Sequence, residues 1–208
     1  KVVILAGGYG TRISEESQNK PKPLVEVGGF PILWHIMKTY SHYGFNEFII
    51  CAGYKQYAIK EYFANYFLHH SDITFDFTKS NQLTIHSEYA EPWKVTVVDT
   101  GLDTMTGGRV KRVKNFIGNE TFMLTYGDAV CDLDISKLVE FHKSHGKKAT
   151  LTAVKQAQEK GVLDIEGGAV KSFREKSAND GAPINAGFMV LEPSVFDLLD
   201  GDSCIFEK

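Results

Sequence analysis

The chain has 208 residues, 43% of them hydrophobic, and a formal net charge of −3: enough for one apolar-cored domain spanning residues 1–208, too little for two. No long run of lysine or arginine offers a footprint for nucleic acid, and no apolar stretch approaches bilayer-spanning length, so small-molecule partners and a cytoplasmic location are expected. Cys51, Cys131 and Cys204 are odd in number and widely separated, with no Cys-X-X-Cys spacing, which predicts free thiols in a reducing compartment.

The apolar run Val2-Val3-Ile4-Leu5 predicts a buried strand that passes directly into Gly7-Gly8-Tyr9-Gly10-Thr11-Arg12. Glycines without a Cβ let backbone N–H groups close on phosphate oxygens, while Arg12 and Lys22, the latter inside Pro21-Lys22-Pro23, supply positive charge. This is not a P-loop, which needs Gly-Lys-Ser/Thr, nor a dinucleotide fingerprint, because Ile13 stands at the third glycine position.

Downstream, Pro31 predicts the first turn of a helix carrying Leu33, Ile36, Met37 and Tyr40 and ending at Gly44. A strand over 48–52 follows, then a helix marked by Ile59, Tyr62, Phe63, Tyr66 and Phe67. Residues 71–99 break the rhythm with three short strands and a turn at Lys79-Ser80-Asn81-Gln82, a β-rich excursion suited to a lid or a subunit contact. His69 and His70 are adjacent and cannot share a helical face as metal ligands would. The pattern then resumes with a helix bearing Val110, Val113 and Phe116, a strand over 122–126, a helix over 135–145, a strand over 149–154 and a hairpin about Gly167-Gly168. Alternating strands and helices predict an α/β fold: a Rossmann-like, doubly wound, mostly parallel sheet flanked by helices, with a small β-hairpin excursion.

Asp128 follows the strand over 122–126 and should emerge at the carboxyl edge of the sheet, where it could hold Mg2+ together with substrate phosphates. Asp132-Leu133-Asp134 imitates the Asp-X-Asp metal motif of nucleotide-sugar-dependent glycosyltransferases, but two aspartates before a predicted helix also serve as an N-cap.

The glycine turn with Thr11-Arg12 and Pro21-Lys22-Pro23 resembles the sugar nucleotidyltransferases, which join a nucleoside triphosphate to a sugar 1-phosphate. The likeness extends through Ile13-Ser14-Glu15-Glu16-Ser17, Ile32-Leu33-Trp34-His35-Ile36-Met37, 61–68, Asp99-Thr100-Gly101, Met105-Thr106-Gly107-Gly108-Arg109, Leu124-Thr125-Tyr126-Gly127-Asp128 and Ile184-Asn185-Ala186-Gly187-Phe188, nearly the whole chain. It is nearest to the branch that moves a cytidylyl group onto glucose 1-phosphate. The resemblance implies CTP and glucose 1-phosphate as substrates, CDP-glucose and pyrophosphate as products, Mg2+ as cofactor, a homo-oligomer with the excursion as subunit contact, and a role in polysaccharide precursor synthesis.

Carried over residue by residue, the family's nucleotide site falls on Leu5, Ala6, Gly7, Gly8, Gly10, Thr11, Arg12, Ser14, Glu16, Thr104, Thr106, Gly107, Gly108 and Arg109. Arg12 would meet the β- and γ-phosphates, Lys22 the α-phosphate and the attacking sugar phosphate, and Arg109 the O2 of a pyrimidine. Ser14 and Glu16 lie in the loop where the cytidylyl and thymidylyl branches part. A helix-capping role for Thr106 remains equally open. The sugar-phosphate site falls on Lys22, Tyr126, Gly161, Glu175, Lys176 and Asn185, and the metal site on Asp128. Arg12, Lys22 and Asp128 form the expected catalytic set. The family's second metal aspartate has no match before Lys208, so C-terminal shortening is expected. Ala129, Ala186 and Glu159-Lys160-Gly161 depart from the family pattern and bear on substrate choice. Three other readings stay open: a nucleotidyltransferase for another triphosphate and sugar 1-phosphate pair, a nucleotide-sugar-dependent glycosyltransferase, and a non-catalytic module that binds a nucleotide or sugar phosphate.

Overall fold

The computed structural model describes residues 1–10, 20–88, 91–155, 162–174 and 183–208. Its elements run β1 (Val2–Ala6), β2 (Glu26–Val27), β3 (Phe30–Pro31), α1 (Ile32–His42), β4 (Glu47–Ala52), α2 (Gln56–Ala64), α3 (Tyr66–His69), β5 (Ser71–Asp76), β6 (Gln82–Glu88) and β7 (Lys94–Asp99). After these come α4 (Thr106–Arg112), α5 (Lys114–Ile117), β8 (Phe122–Tyr126), α6 (Ile135–His145), β9 (Ala149–Lys155), β10 (Val162–Glu166), β11 (Ala169–Arg174) and β12 (Pro183–Leu191).

Six strands form the central sheet in the order β7-β4-β1-β8-β12-β9. The pairs β7/β4, β4/β1 and β1/β8 are parallel, and only β12 runs against its two neighbours. The mostly parallel, helix-flanked sheet predicted from the alternation is therefore present. Side-chain alternation along β1 shows why the sheet must be covered twice. Val2, Ile4 and Ala6 join Leu33, Ile36, Met37 and Tyr40 of α1 and Ile59 of α2 in one core. Val3, on the opposite face, packs with Val110 of α4, Val113, Ile117 of α5, and Val195 and Phe196 of the 3-10 turn Pro193–Leu198. Burying a side chain such as Ile36 or Leu33 completely contributes about 1.5–3 kcal/mol.

Pro31 is the N-cap of α1 rather than part of its first turn. The aromatic helix predicted after β4 divides at Asn65 into α2 and α3, and the helix bearing Val113 divides there into α4 and α5. The predicted excursion over 71–99 is shorter in the structure. Within that span β5 and β6 pair with each other alone, while β7 is the edge strand of the central sheet, parallel to β4. The turn between β5 and β6 holds Ser80 and Asn81 at φ 57° and 61°, left-handed values that Asn tolerates. The hairpin about Gly167-Gly168 forms as predicted, β10 against β11. All three cysteines are free, and burial pushes the Cys51 thiol up to about 12, so it is a core residue and not a nucleophile.

Candidate active site

The carboxyl ends of β1, β4, β7 and β8 define one edge of the sheet, and the glycine turn lies along it. Gly7 O accepts from the Tyr54 N–H at 3.1 Å and Leu5 O accepts from the Gly127 N–H at 2.9 Å, tying the end of β1 to the chain leaving β4 and β8. An added Cβ on Gly127 would lie 2.8 Å from Leu5 O and 3.2 Å from Pro23 Cγ. Glycine there lets the Pro21–Leu24 turn press against the strand ends. That turn is rigid: Pro21 and Pro23 fix φ, Leu24 N–H donates to Pro21 O at 2.8 Å, and Pro23 and Leu24 are buried.

Pinning this turn brings Lys22 to Asp128. Lys22 Nζ donates to Asp128 Oδ2 at 2.5 Å, across 106 residues of sequence. Their side chains are 21% and 38% exposed, so both can reach a ligand in the crevice. Among the described residues no group of three His, Cys, Asp or Glu side chains could hold a metal ion by itself. A hard carboxylate oxygen at the sheet edge beside a cation for phosphate nevertheless fits Mg2+, which commonly takes one or two carboxylates and completes its shell with phosphates and water.

On the other side of the glycine turn Arg109 is 5% exposed. Its Nη1 donates to Thr100 Oγ1 at 2.8 Å and Gly101 O at 2.7 Å, and its Nη2 donates to Leu102 O at 3.0 Å. Burial lowers its pKa. A Cβ on Gly7 would meet Arg109 Nη1 at 2.1 Å and Cζ at 2.4 Å, so the guanidinium is stacked against the glycine turn. Much of the donor capacity predicted to face a base thus holds the 100–102 loop. Thr104 is buried, its hydroxyl packed against Gly101.

Gly107 and Gly108 approach the chain's own C-terminal segment. Their N–H groups donate to Cys204 O at 2.9 and 3.2 Å, and a Cβ on Gly108 would lie 2.6 Å from Asp202 Cα. Thr106, the first residue of α4, does not cap its helix; its hydroxyl donates to Glu207 Oε2 at 2.7 Å. Tyr126 donates to Glu207 Oε1 at 2.5 Å, and Asn185 Nδ2 donates to Tyr126 Oη at 3.4 Å. Tyr126 and Asn185, both predicted for the sugar phosphate, are therefore brought together.

Asp134 caps α6, accepting from Lys137 N–H at 3.1 Å, which accounts for the Asp-X-Asp pattern without a metal. Thr11, Arg12, Ser14, Glu16, Gly161, Glu175 and Lys176 lie outside the described residues. Two features had no signal in the sequence pattern. One is the Glu207 contacts. The other is Tyr9, whose hydroxyl donates to Asp103 Oδ1 at 2.9 Å while its ring packs on Tyr54 with centroids 5.3 Å apart.

The family model described as Nucleotidyl transferase matches residues 1–203. The chain belongs to the nucleotidyl transferase family. It is 59% identical over 209 aligned positions to glucose-1-phosphate cytidylyltransferase of Salmonella typhi, covering 100% of this chain and 81% of that protein. It is 46% identical over 202 positions to the probable glucose-1-phosphate cytidylyltransferase of Bacillus subtilis, covering 97% of this chain and 78% of the relative. Among solved structures, HddC from Yersinia pseudotuberculosis complexed with GMP-PN is similar with a TM-score of 0.67 and 27% identity, over 99% of this chain and 82% of that one. As a nucleotidyl transferase the chain is an enzyme, and the mostly parallel sheet with its glycine turn is the fold it shares with these relatives. Among the described residues no helix is long and apolar enough to cross a membrane.

Proposed function

We propose that this nucleotidyl transferase moves a cytidylyl group from CTP to glucose 1-phosphate, giving CDP-glucose and pyrophosphate in the cytoplasm. The observation that carries the reaction is the Lys22–Asp128 pair beside the glycine turn, a cation for phosphate next to a carboxylate for a divalent ion. The choice of cytosine and glucose is supported by full-chain likeness to proteins named glucose-1-phosphate cytidylyltransferase.

A phosphate oxygen of glucose 1-phosphate attacks the α-phosphorus of CTP in line, and the bond from that phosphorus to the β-phosphate bridging oxygen breaks, releasing pyrophosphate. The chain's own part is to hold two mutually repelling anions in register and to neutralise charge on the five-coordinate phosphorus. Backbone from Leu5 to Gly10 would cradle the triphosphate, Arg12 its β- and γ-phosphates, and Lys22 the α-phosphate and the incoming sugar phosphate. Thr104, Thr106 and the loop held by Arg109 would border the base, with Ser14 and Glu16 set to accept from its exocyclic amine. Tyr126, Gly161, Glu175, Lys176 and Asn185 would border the sugar phosphate. Asp128 would hold Mg2+, which supplies Lewis-acid neutralisation of phosphate charge.

Self-association through the β5–β6 hairpin belongs to the same reading. Its register places Ile73 opposite Ile85 and Phe75 opposite Leu83 on one face, and Phe75 and Phe77 are 53% and 77% exposed. An isolated two-stranded ribbon is marginal in water, so a second copy covering this face would support it.

The test is pyrophosphate release by the full chain with Mg2+, each of the four common triphosphates and a panel of sugar 1-phosphates. CTP with glucose 1-phosphate should give the highest kcat/KM. Turnover only with CDP-glucose and an acceptor would make the protein a glycosyltransferase, and CTP binding without turnover would make it a binding module.

A further inference from the structure

Glu207 joins the two halves of the crevice. One carboxylate oxygen accepts from the Tyr126 hydroxyl at 2.5 Å and the other from the Thr106 hydroxyl at 2.7 Å. Thr106 opens α4 on the nucleotide side, and its oxygen also accepts from the Phe206 N–H at 2.9 Å, which fixes Glu207 beside it. Tyr126 ends β8, two residues before Asp128. On the far side, Gly187 at φ 86° lies where the register between β12 and β9 shifts. A Cβ there would stand 2.4 Å from Tyr126 Cδ2, so glycine lets the edge of the ring approach the backbone. Asn185 is also fastened, its Oδ1 accepting from Gly187 N–H at 2.9 Å and its Nδ2 pointing to Tyr126 Oη.

An ionised carboxylate only accepts, so both hydroxyls must spend their protons on Glu207. The Tyr126 oxygen is thereby left with lone pairs alone. Toward anything else in the crevice it can act only as an acceptor.

The geometry points to Glu207 as a positioning residue that sets sugar selectivity: it orients the Tyr126 hydroxyl so that its oxygen accepts from a hydroxyl of the sugar 1-phosphate. This rests on the reading of Tyr126 and Asn185 as the sugar side of a nucleotidyl transferase site. A sugar carrying a donor O–H at the matching carbon is accepted, and one carrying fluorine or hydrogen there leaves the Tyr126 oxygen one donor short, with only the long 3.4 Å approach of Asn185 Nδ2 on its acceptor side. Glutamine at position 207 presents an N–H to one of the two hydroxyls. It lets the Tyr126 proton turn into the crevice and removes the selectivity while keeping the side-chain volume.

The experiment compares the full chain with its Glu207→Gln, Tyr126→Phe and double variants, using glucose 1-phosphate and its 2-, 3-, 4- and 6-deoxyfluoro analogues. The wild type should discriminate against one analogue by about tenfold in kcat/KM, and Glu207→Gln should reduce that ratio to about twofold or less. KM for glucose 1-phosphate should rise while KM for CTP holds. Tyr126→Phe should reproduce the loss, and the double variant should add nothing, as for residues acting through one another. Calorimetric titration of the same sugar phosphates reads the same ratios by binding, so absence of CTP turnover in the wild type would overturn the proposed reaction without hiding the role of Glu207. An unchanged analogue ratio in Glu207→Gln, or equal loss for CTP and every sugar with a lowered melting temperature, would reduce Glu207 to a structural tie.

Discussion

Lys22 and Asp128 satisfy each other's charge at 2.5 Å, although one comes from a proline-bounded turn and the other from the end of a strand. Each is expected to serve a different partner, phosphate for the ammonium and a divalent ion for the carboxylate. A half-exposed pair of this kind contributes at most about 1 kcal/mol to stability. Lys22→Ala should therefore leave the melting temperature nearly unchanged while kcat/KM for pyrophosphate release falls about 100-fold or more. Near-wild-type turnover would remove Lys22 from the mechanism.

Asp128→Asn keeps the shape of the side chain and loses the charge that a hard cation needs. The Mg2+ concentration for half-maximal activity should rise at least about tenfold, as expected when a charged ligand is replaced by a neutral one. An unchanged Mg2+ titration would count against its assignment as metal ligand.

Gly7 and Gly8 are adjacent yet should respond differently to alanine. A Cβ on Gly7 falls 2.1 Å from Arg109 Nη1, and that guanidinium cannot retreat without leaving Thr100, Gly101 and Leu102, whereas a Cβ on Gly8 meets nothing within 4 Å. Gly7→Ala should cost about 1–3 kcal/mol, as overpacking does. Gly8→Ala should stay within about 0.5 kcal/mol. Denaturant unfolding of both variants checks the contrast, and equal midpoints would contradict it.

At the opposite edge of the sheet Glu192 accepts from His142 Nε2 at 2.9 Å and from Thr121 Oγ1 at 2.9 Å, and these contacts, His142 first, lower its pKa. A carboxylate whose folded pKa is depressed adds stability above its unfolded pKa and loses it as pH falls through the folded value. Melting temperature should then decline from about pH 4.3 downward, and Glu192→Gln should flatten that limb. An acid limb of equal slope in the variant would show that the titration lies elsewhere.

Much of the fold was legible because local pattern and tertiary role agree. The run Val2–Leu5 alternates between two cores, and 135–145 forms α6 with Asp134 as its cap. Strand order was less legible. The run 95–98 looks the same whether it pairs inside an excursion or along β4, and only the three-dimensional register decides. The strand around Asn185 was missed as an element because it enters antiparallel between β8 and β9, outside the β-α-β alternation that marked the others. At the site, the glycine turn, Lys22 and Asp128 could be read from residue type and position. The motif placed Arg109 at the site, but not its burial: an arginine on an amphipathic helix ordinarily faces water, and this one is buried because the 100–102 loop offers it carbonyls and a hydroxyl. Glu207 carried no pattern at all, since its partners lie 101 and 81 residues away.

A crystal structure of the full chain with CTP and Mg2+ tests the central claim most directly. The triphosphate should follow the Leu5–Gly10 turn, with the metal on Asp128 and Lys22 Nζ released from that carboxylate onto a phosphate oxygen. A nucleotide bound elsewhere, with the Lys22–Asp128 pair intact, would contradict the account.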